Sequence, residues 1–232
     1  MASESKAPDY PNIILRDREP KRFAATLKEI LDGCARCDAE GAATPFDSEC
    51  SVMERDKKTG LPRSVTAINV GYVKRKMVPA AEFLIYFEKD GAARRTGPPK
   101  RVFTGFLLAK LLNPRVYYID LVCSKHKKGR ALLEAAEVMA RGLACAYVGL
   151  RAAYPKLRRY YCRNGFVEMA DPCSGTLDRK TREEREALRA LNIYATRSGR
   201  TKDGSGDGWW MAKCLLGPSS PSLKSCDKLY RK

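Results

Sequence analysis

Apolar residues first recur at helical spacing after Glu19-Pro20, where Phe23, Leu27, Ile30 and Leu31 share one face, which predicts a helix that stops near Gly33. A shorter helix is expected from Asp47 towards Lys58, ended by Thr59-Gly60-Leu61-Pro62. The period then changes from helical to alternating. Residues 65–73 (Ile68, Val70, Tyr72), 81–88 (Phe83, Ile85, Phe87), 101–109 and 116–123 read as four strands rich in β-branched and aromatic residues. Met77-Val78-Pro79, the Gly91 to Pro99 turn region and Asn113-Pro114 separate them, and such short connections imply an antiparallel meander.

After Ser124 the chain turns through a basic, glycine-containing segment into a helix carrying Leu132, Ala135, Ala136, Met139 and Leu143 on one side. A fifth strand at about 145–151 follows, parallel to the fourth if the helix is a right-handed crossover. A short helix at about 154–163 then leads into Asn164-Gly165-Phe166. Beyond it, residues 178–195 predict an extra charged helix with Ala187, Leu188, Leu191 and Tyr194 as its apolar stripe. The Gly/Ser-rich stretch 198–208 reads as a linker, Trp209 to Leu216 as a last strand and 217–232 as a tail. With residues 1–19 read as a polar, Pro-interrupted arm, the expectation is one domain over 20–216 that carries the charged helix as an insertion.

With 44% hydrophobic residues the chain is too apolar to be disordered and long enough to bury a core. Its longest apolar run, near Phe103 to Leu112, is broken by Lys110, so no membrane segment is expected. Nothing at the N-terminus resembles a secretory signal. The nine cysteines are odd in number and scattered, which favours reduced thiols and an intracellular, cytoplasmic or nuclear, location. Cys34 and Cys37 form one CxxC with no second pair, and His126 is the sole histidine, so no metal site is expected.

The formal charge is +17, a field that attracts polyanions such as CoA phosphates or nucleic acid and disfavours strongly cationic substrates. Residues 121–166 alone hold ten Lys or Arg against two Glu. No aromatic-rich reading face accompanies this charge, so any nucleic-acid binding is expected to be weak and non-specific.

Three segments carry candidate chemistry. His126-Lys127-Lys128-Gly129-Arg130-Ala131 opens a helix, where backbone N–H groups and the positive helix end form a cradle for phosphate and the basic side chains add charge. Asp120-Leu121-Val122-Cys123 ends the fourth strand, and Tyr160-Tyr161-Cys162-Arg163-Asn164-Gly165-Phe166 ends the short helix.

In this order and spacing, over about residues 65–168, the three segments resemble the GNAT (acetyl-CoA-dependent N-acetyltransferase) superfamily, with this chain a divergent member. The turn is similar to the family's [Q/R]-x-x-G-x-[G/A] loop, although its first position is His126. The resemblance implies an α/β (α+β) fold, a mixed, mostly antiparallel sheet flanked by helices and splayed between the fourth and fifth strands. It implies acetyl-CoA as acyl donor, held by Leu121, Val122, Cys123, His126, Lys127, Lys128, Gly129, Arg130 and Ala131, and an amine acceptor that the sequence does not identify. Tyr161, four residues before Gly165, falls where the family often has its general acid, and Asp120 is the candidate base, with Ile119 where some members carry an acid. The alternative reading is an inactive protein of this fold acting as a basic nucleic-acid-binding or structural module.

Overall fold

The computed structural model describes residues 10–39, 51–55, 62–66, 70–90, 101–124, 128–152, 155–168, 186–187, 189–191 and 209–215. Nine strands are present among them: β1 (Asn12–Leu15), β2 (Ser51–Arg55), β3 (Pro62–Thr66), β4 (Phe83–Asp90), β5 (Arg101–Asn113), β6 (Val116–Ser124), β7 (Tyr147–Ala152), β8 (Val167–Glu168) and β9 (Trp209–Cys214). The helices are α1 (Pro20–Ala39), the single turn α2 (Val70–Tyr72), α3 (Gly129–Gly142) and α4 (Pro155–Arg163), with a short helical stretch at 186–191.

Seven strands form one sheet in the order β1-β4-β5-β6-β7-β9-β8, and β2 and β3 form a separate antiparallel pair. β1 pairs antiparallel with β4, β6 pairs parallel with β7, and β9 is antiparallel to both β7 and β8. A two-residue turn joins β5 to β6, which only an antiparallel pair permits. The sheet is therefore mixed, antiparallel in most of the described pairings, with the parallel pair β6-β7 bridged by α3, as the family resemblance implied.

Three readings of the sequence are corrected. Residues 12–15, assigned to a polar arm, are the edge strand β1, with Ile14 fully buried and Asn12 opposite Tyr86. Four residues of strand are too short a run to stand out against the prolines and charges around them. Of the strand expected over 65–73, residues 65–66 are the end of β3 and residues 70–73 form the α2 turn and the start of a π-helical stretch over Val73–Met77, with 67–69 outside the described residues. Val70 and Val73 are buried while Lys74, Arg75 and Lys76 are exposed, so helical spacing prevails over the alternation of Ile68, Val70 and Tyr72. Within the helix expected over 47–58, residues 51–55 are β2, paired with β3 so that Ser51 faces Thr66 and Arg55 faces Pro62.

By its contacts the chain divides into two compact units, one of residues 1–108 with 121–132 and one of residues 109–120 with 133–232. In the first, α1 buries the predicted stripe: Phe23, Leu27, Ile30 and Leu31 are each at most 2% exposed and join Ile14, Leu84, Tyr86, Phe106 and Leu108 in one core. The helix runs past Gly33, which costs about 1 kcal/mol relative to Ala and does not by itself end a helix.

In the second unit, β7 and β9 carry the core between them, with Val148, Leu150, Ala152 and Met211 all buried. On the Tyr118 and Ala212 side, Ala187 and Leu191 of the extra helical stretch complete a cluster with Val116, Ala146 and Tyr147. Gly149 makes that approach possible, because a Cβ there would stand 2.6 Å from Leu191 Cδ1 and 3.5 Å from Tyr118 Cδ2. Leu188 and Tyr194, also placed on the predicted stripe, lie outside the described residues.

Candidate active site

The parallel ladder sets the site's frame. It pairs Val116–Ile119 with Tyr147–Leu150, and β6 then continues as strand to Ser124 while β7 continues to Ala152 on β9. The parallel ladder thus ends after four residue pairs.

Val116 and Tyr118 pack with Leu112 of β5, and Asp120 reaches Lys110 of β5, so residues 116, 118 and 120 share a side. In the first unit, Leu121 and Cys123 join the core of Phe106 and Leu108.

The cradle residues belong to the first unit. The first helical bond of α3 runs from Leu132 N–H to Lys128 O at 3.0 Å, so the amides of residues 129–131 point out of the helix start. Gly129 is buried, Lys128 and Ala131 are half-buried, and Arg130 is exposed. Lys128 Nζ stands 4.9 Å from the centre of the Phe87 ring. The start of α3 is braced by Gly105 of β5, where a Cβ would stand 3.1 Å from Ser124 Cβ and 3.2 Å from Leu132 Cδ1. His126 and Lys127 lie outside the described residues. Leu121 and Val122 are half-buried, and Cys123 is 2% exposed and disulfide-bonded.

That disulfide corrects the expectation of reduced thiols. Cys162 and Cys214 are disulfide-bonded as well, while Cys145 is a free, buried thiol. Among the described residues no helix is long and apolar enough to cross a membrane, and no three potential metal ligands cluster.

Asp120 and Tyr161 both lie in the second unit. Asp120 Oδ1 accepts a bond from Lys110 Nζ at 3.0 Å, with the two side chains 8% and 13% exposed. Its Oδ2 is buried with no hydrogen-bond partner among the described residues. Burial pushes the Asp120 carboxyl above its ordinary range, and the Lys110 charge and hydrogen bond pull the other way. Lys110 Nζ also stands 5.5 Å from the Tyr118 ring centre. Lys110 was missed in the sequence because it pairs across a hairpin, and an apolar run interrupted by one lysine was its only signal.

Tyr161 is held by the way α4 stops. Phe166 N–H bonds Tyr161 O at 3.0 Å, Gly165 N–H bonds Cys162 O at 2.8 Å, and Gly165 has a φ of 89°. These are the two bonds of a Schellman stop with glycine in its left-handed position. The accompanying apolar contact is Tyr161 against Phe166, ring centres 6.0 Å apart, with Tyr160 5.4 Å from Tyr161 on another side. Tyr161 is 5% exposed, and burial, with a smaller contribution from Tyr160, raises its phenol well above the ordinary value.

Lys213 of β9, which the sequence did not mark, donates to Glu137 Oε1 of α3 at 2.7 Å and to Asn164 O at 3.0 Å, tying the stop of α4 to α3. Lys213 and Tyr118 point to opposite sides of the sheet, since Trp210 and Ala212 face Tyr118 and alternate with Met211 and Lys213. The C-terminal end of α4 and the Asp120 carboxylate are accordingly on opposite faces.

No family model matches the chain, and no curated protein matches it. Among solved structures the chain is similar to a putative N-acetyltransferase from Lactobacillus plantarum (16% identity, 89% of this chain and 99% of that one, TM-score 0.45). It is also similar to GCN5 from Tetrahymena (11%, 90% and 98%, 0.43) and to Rv2747 from Mycobacterium tuberculosis in complex with CoA (16%, 89% and 100%, 0.40). By its own strand order, with the parallel pair β6-β7 bridged by α3 and helices flanking a mixed sheet, the chain has a GNAT-like fold.

Proposed function

We propose that this chain is a divergent GNAT-superfamily N-acyltransferase that moves an acetyl group from acetyl-CoA to an amine. The observation that carries the reading is the outer end of β6, which continues as strand to Ser124 past its last parallel pair with β7, ahead of a helix that opens on buried Gly129. Backbone groups outside a ladder need a partner, and the amide arm of pantetheine supplies alternating donors and acceptors. The amides of residues 129–131, with Lys128 and Arg130, suit the CoA phosphates.

In this reading the neutral amine attacks the thioester carbonyl carbon, a C–N bond forms and the C–S bond breaks. The amine's proton passes to Asp120 Oδ2, whose partner-free, desolvated oxygen is more basic than an exposed carboxylate. A backbone N–H of β6 meets the developing oxyanion. Tyr161, on the face of the sheet opposite Asp120, gives its phenolic proton to the departing thiolate, a role that needs the thioester to lie in the gap between β6 and β7 and that works against the raised pKa of the buried phenol.

The test is acetyl-CoA binding by calorimetry and thermal shift, followed by turnover on panels of amines and peptides. Binding with a rise in melting temperature is expected, because a ligand selective for the native state stabilises it by mass action. Gly129→Glu should abolish both by placing a side chain and a negative charge in the cradle. A folded Gly129→Glu protein that still binds acetyl-CoA would remove the cradle from the proposal, and binding without turnover on any acceptor would leave a basic binding module as the better reading.

A further inference from the structure

The first unit contains a cleft that the acyl-transfer reading does not use. It lies between α1 and the helical stretch at 73–80, has a volume of about 300 Å³, and is floored by Phe23, Leu27, Leu31 and Val78. That volume sits at the lower end of the range for small-molecule pockets, ~300–1,000 Å³.

Its rim is cationic. Lys28 and Lys74 border it, and both bond to one carboxylate, Asp32, at 2.6 and 3.2 Å. Arg16 borders it as well, donating to the carbonyls of Val78 and of Pro79, the latter at 2.9 Å, with its guanidinium 4.7 Å from the centre of the Phe23 ring. Arg16 has no carboxylate partner among the described residues, so three rim cations face a single rim anion. The first turn of α1, which starts at Pro20 on the same rim, contains no acidic residue, and Glu19 just before it is paired with Arg22 at 2.8 Å.

The lining also decides what kind of anion fits. The floor is carbon, the α1 backbone is internally bonded, and the Val78 and Pro79 carbonyls are taken by Arg16. The N–H groups of a peptide backbone entering the cleft would lose water without gaining acceptors from this floor, a cost of about 1–3 kcal/mol for each unsatisfied group. An aliphatic tail incurs no such loss and gains by burial.

We propose that this cleft binds a free aliphatic carboxylate of medium chain length, its tail on Phe23, Leu27 and Leu31 and its carboxylate between Lys28 and Lys74. The site lies wholly within the first unit, shares no residue with the proposed acyl-transfer site, and stands or falls separately from it.

The test uses the full chain and decanoate below its micellar concentration, titrated by calorimetry beside decanol and decyltrimethylammonium. Saturable one-to-one binding of decanoate is expected, at least tenfold tighter than decanol, with none of the cationic amphiphile. Ala24→Trp, which fills the cleft from an exposed position of α1, should abolish binding, and Lys74→Glu should weaken it at least tenfold while leaving decanol affinity unchanged. Circular dichroism and melting curves establish that each variant is folded; should Lys74→Glu fail to fold, Lys28→Glu serves the same purpose at a side chain 76% exposed. Equal affinity for decanoate and decanol, no saturable binding, or unaltered binding in folded Ala24→Trp would each overturn the proposal. So would binding only to phosphatidylglycerol vesicles, or a self-association of the chain that Ala24→Trp disrupts, since either names a different occupant.

Discussion

Replacing Lys110 by Met tests the electrostatics of the Asp120 centre most directly. At 3.0 Å and an effective dielectric near 20, the pair's attraction is roughly 5 kcal/mol, offset in large part by the desolvation of both groups. Removing only the cation leaves a carboxylate that is 8% exposed without its counter-charge, which for buried pairs costs about 3–5 kcal/mol. The residual exposure of both side chains puts the expected loss at the lower end, about 3 kcal/mol, or a melting-point drop of roughly 6–12 °C for a chain of this size. Removing both charges in Lys110→Met/Asp120→Leu should restore stability to within about 1 kcal/mol of wild type, since an apolar pair of similar volume often replaces a buried ion pair at little cost.

Urea denaturation of wild type, both single variants and the double variant gives the coupling energy. If the single and double variants lose the same stability, Asp120 does not depend on Lys110 and the electrostatic account of the centre is wrong. A second readout concerns chemistry. Because the folded-state pKa of Asp120 is raised, activity that needs its carboxylate should fall with decreasing pH at a higher pH than an ordinary aspartate would give, and Lys110→Met should move that limb higher still, since the cation is what lowers it. A limb that stays put would reduce Asp120 to a structural residue.

Gly165→Ala should cost about 1–2 kcal/mol, read as a drop of roughly 2–8 °C in melting temperature, because a φ of 89° is strained for any residue with a Cβ; an unchanged melting curve would contradict the helix stop described above. Cys145, pushed up to about 11 by burial, should resist alkylation in the folded protein at pH 9–10, as read by peptide mass spectrometry. Between about pH 9 and 11 the native state keeps that proton while the unfolded chain releases it, so stability should fall with rising pH by up to about 1.4 kcal/mol per unit, and Cys145→Ala should flatten that slope. Tyr161→Phe should keep acetyl-CoA affinity while lowering turnover by roughly one to three orders of magnitude; wild-type turnover would leave Tyr161 a packing residue.

The sequence was legible where one period dominated a long enough run. Phe23, Leu27, Ile30 and Leu31 could only be one helix face, and Phe83, Ile85 and Phe87 one strand face. It was illegible where two periods fit the same letters, as at Val70, Val73 and Met77, and where both faces of a strand are buried. In Val116-Tyr117-Tyr118-Ile119-Asp120-Leu121-Val122-Cys123 nearly every position is apolar, so the pattern does not say which residues face which side. Pairings across space, such as Lys110 with Asp120, Lys213 with Glu137, and the disulfides, depend on which strands become neighbours and not on local spelling.

The segment around Tyr161 shows how a motif is legible for a reason other than the one first attached to it. A Schellman stop needs glycine at residue 165 and an apolar contact between residues 161 and 166, and Tyr161, Gly165 and Phe166 meet those needs whether or not any proton moves. Spelling therefore supports the fold here more strongly than it supports catalysis. The ring of Tyr161 serves packing, and only its hydroxyl is left to serve chemistry. Phenylalanine keeps the first and deletes the second, so Tyr161→Phe should leave the melting curve near wild type while turnover falls, whereas a loss of stability of several kcal/mol would mean that the hydroxyl is bonded into the core and that the helix stop alone accounts for the motif.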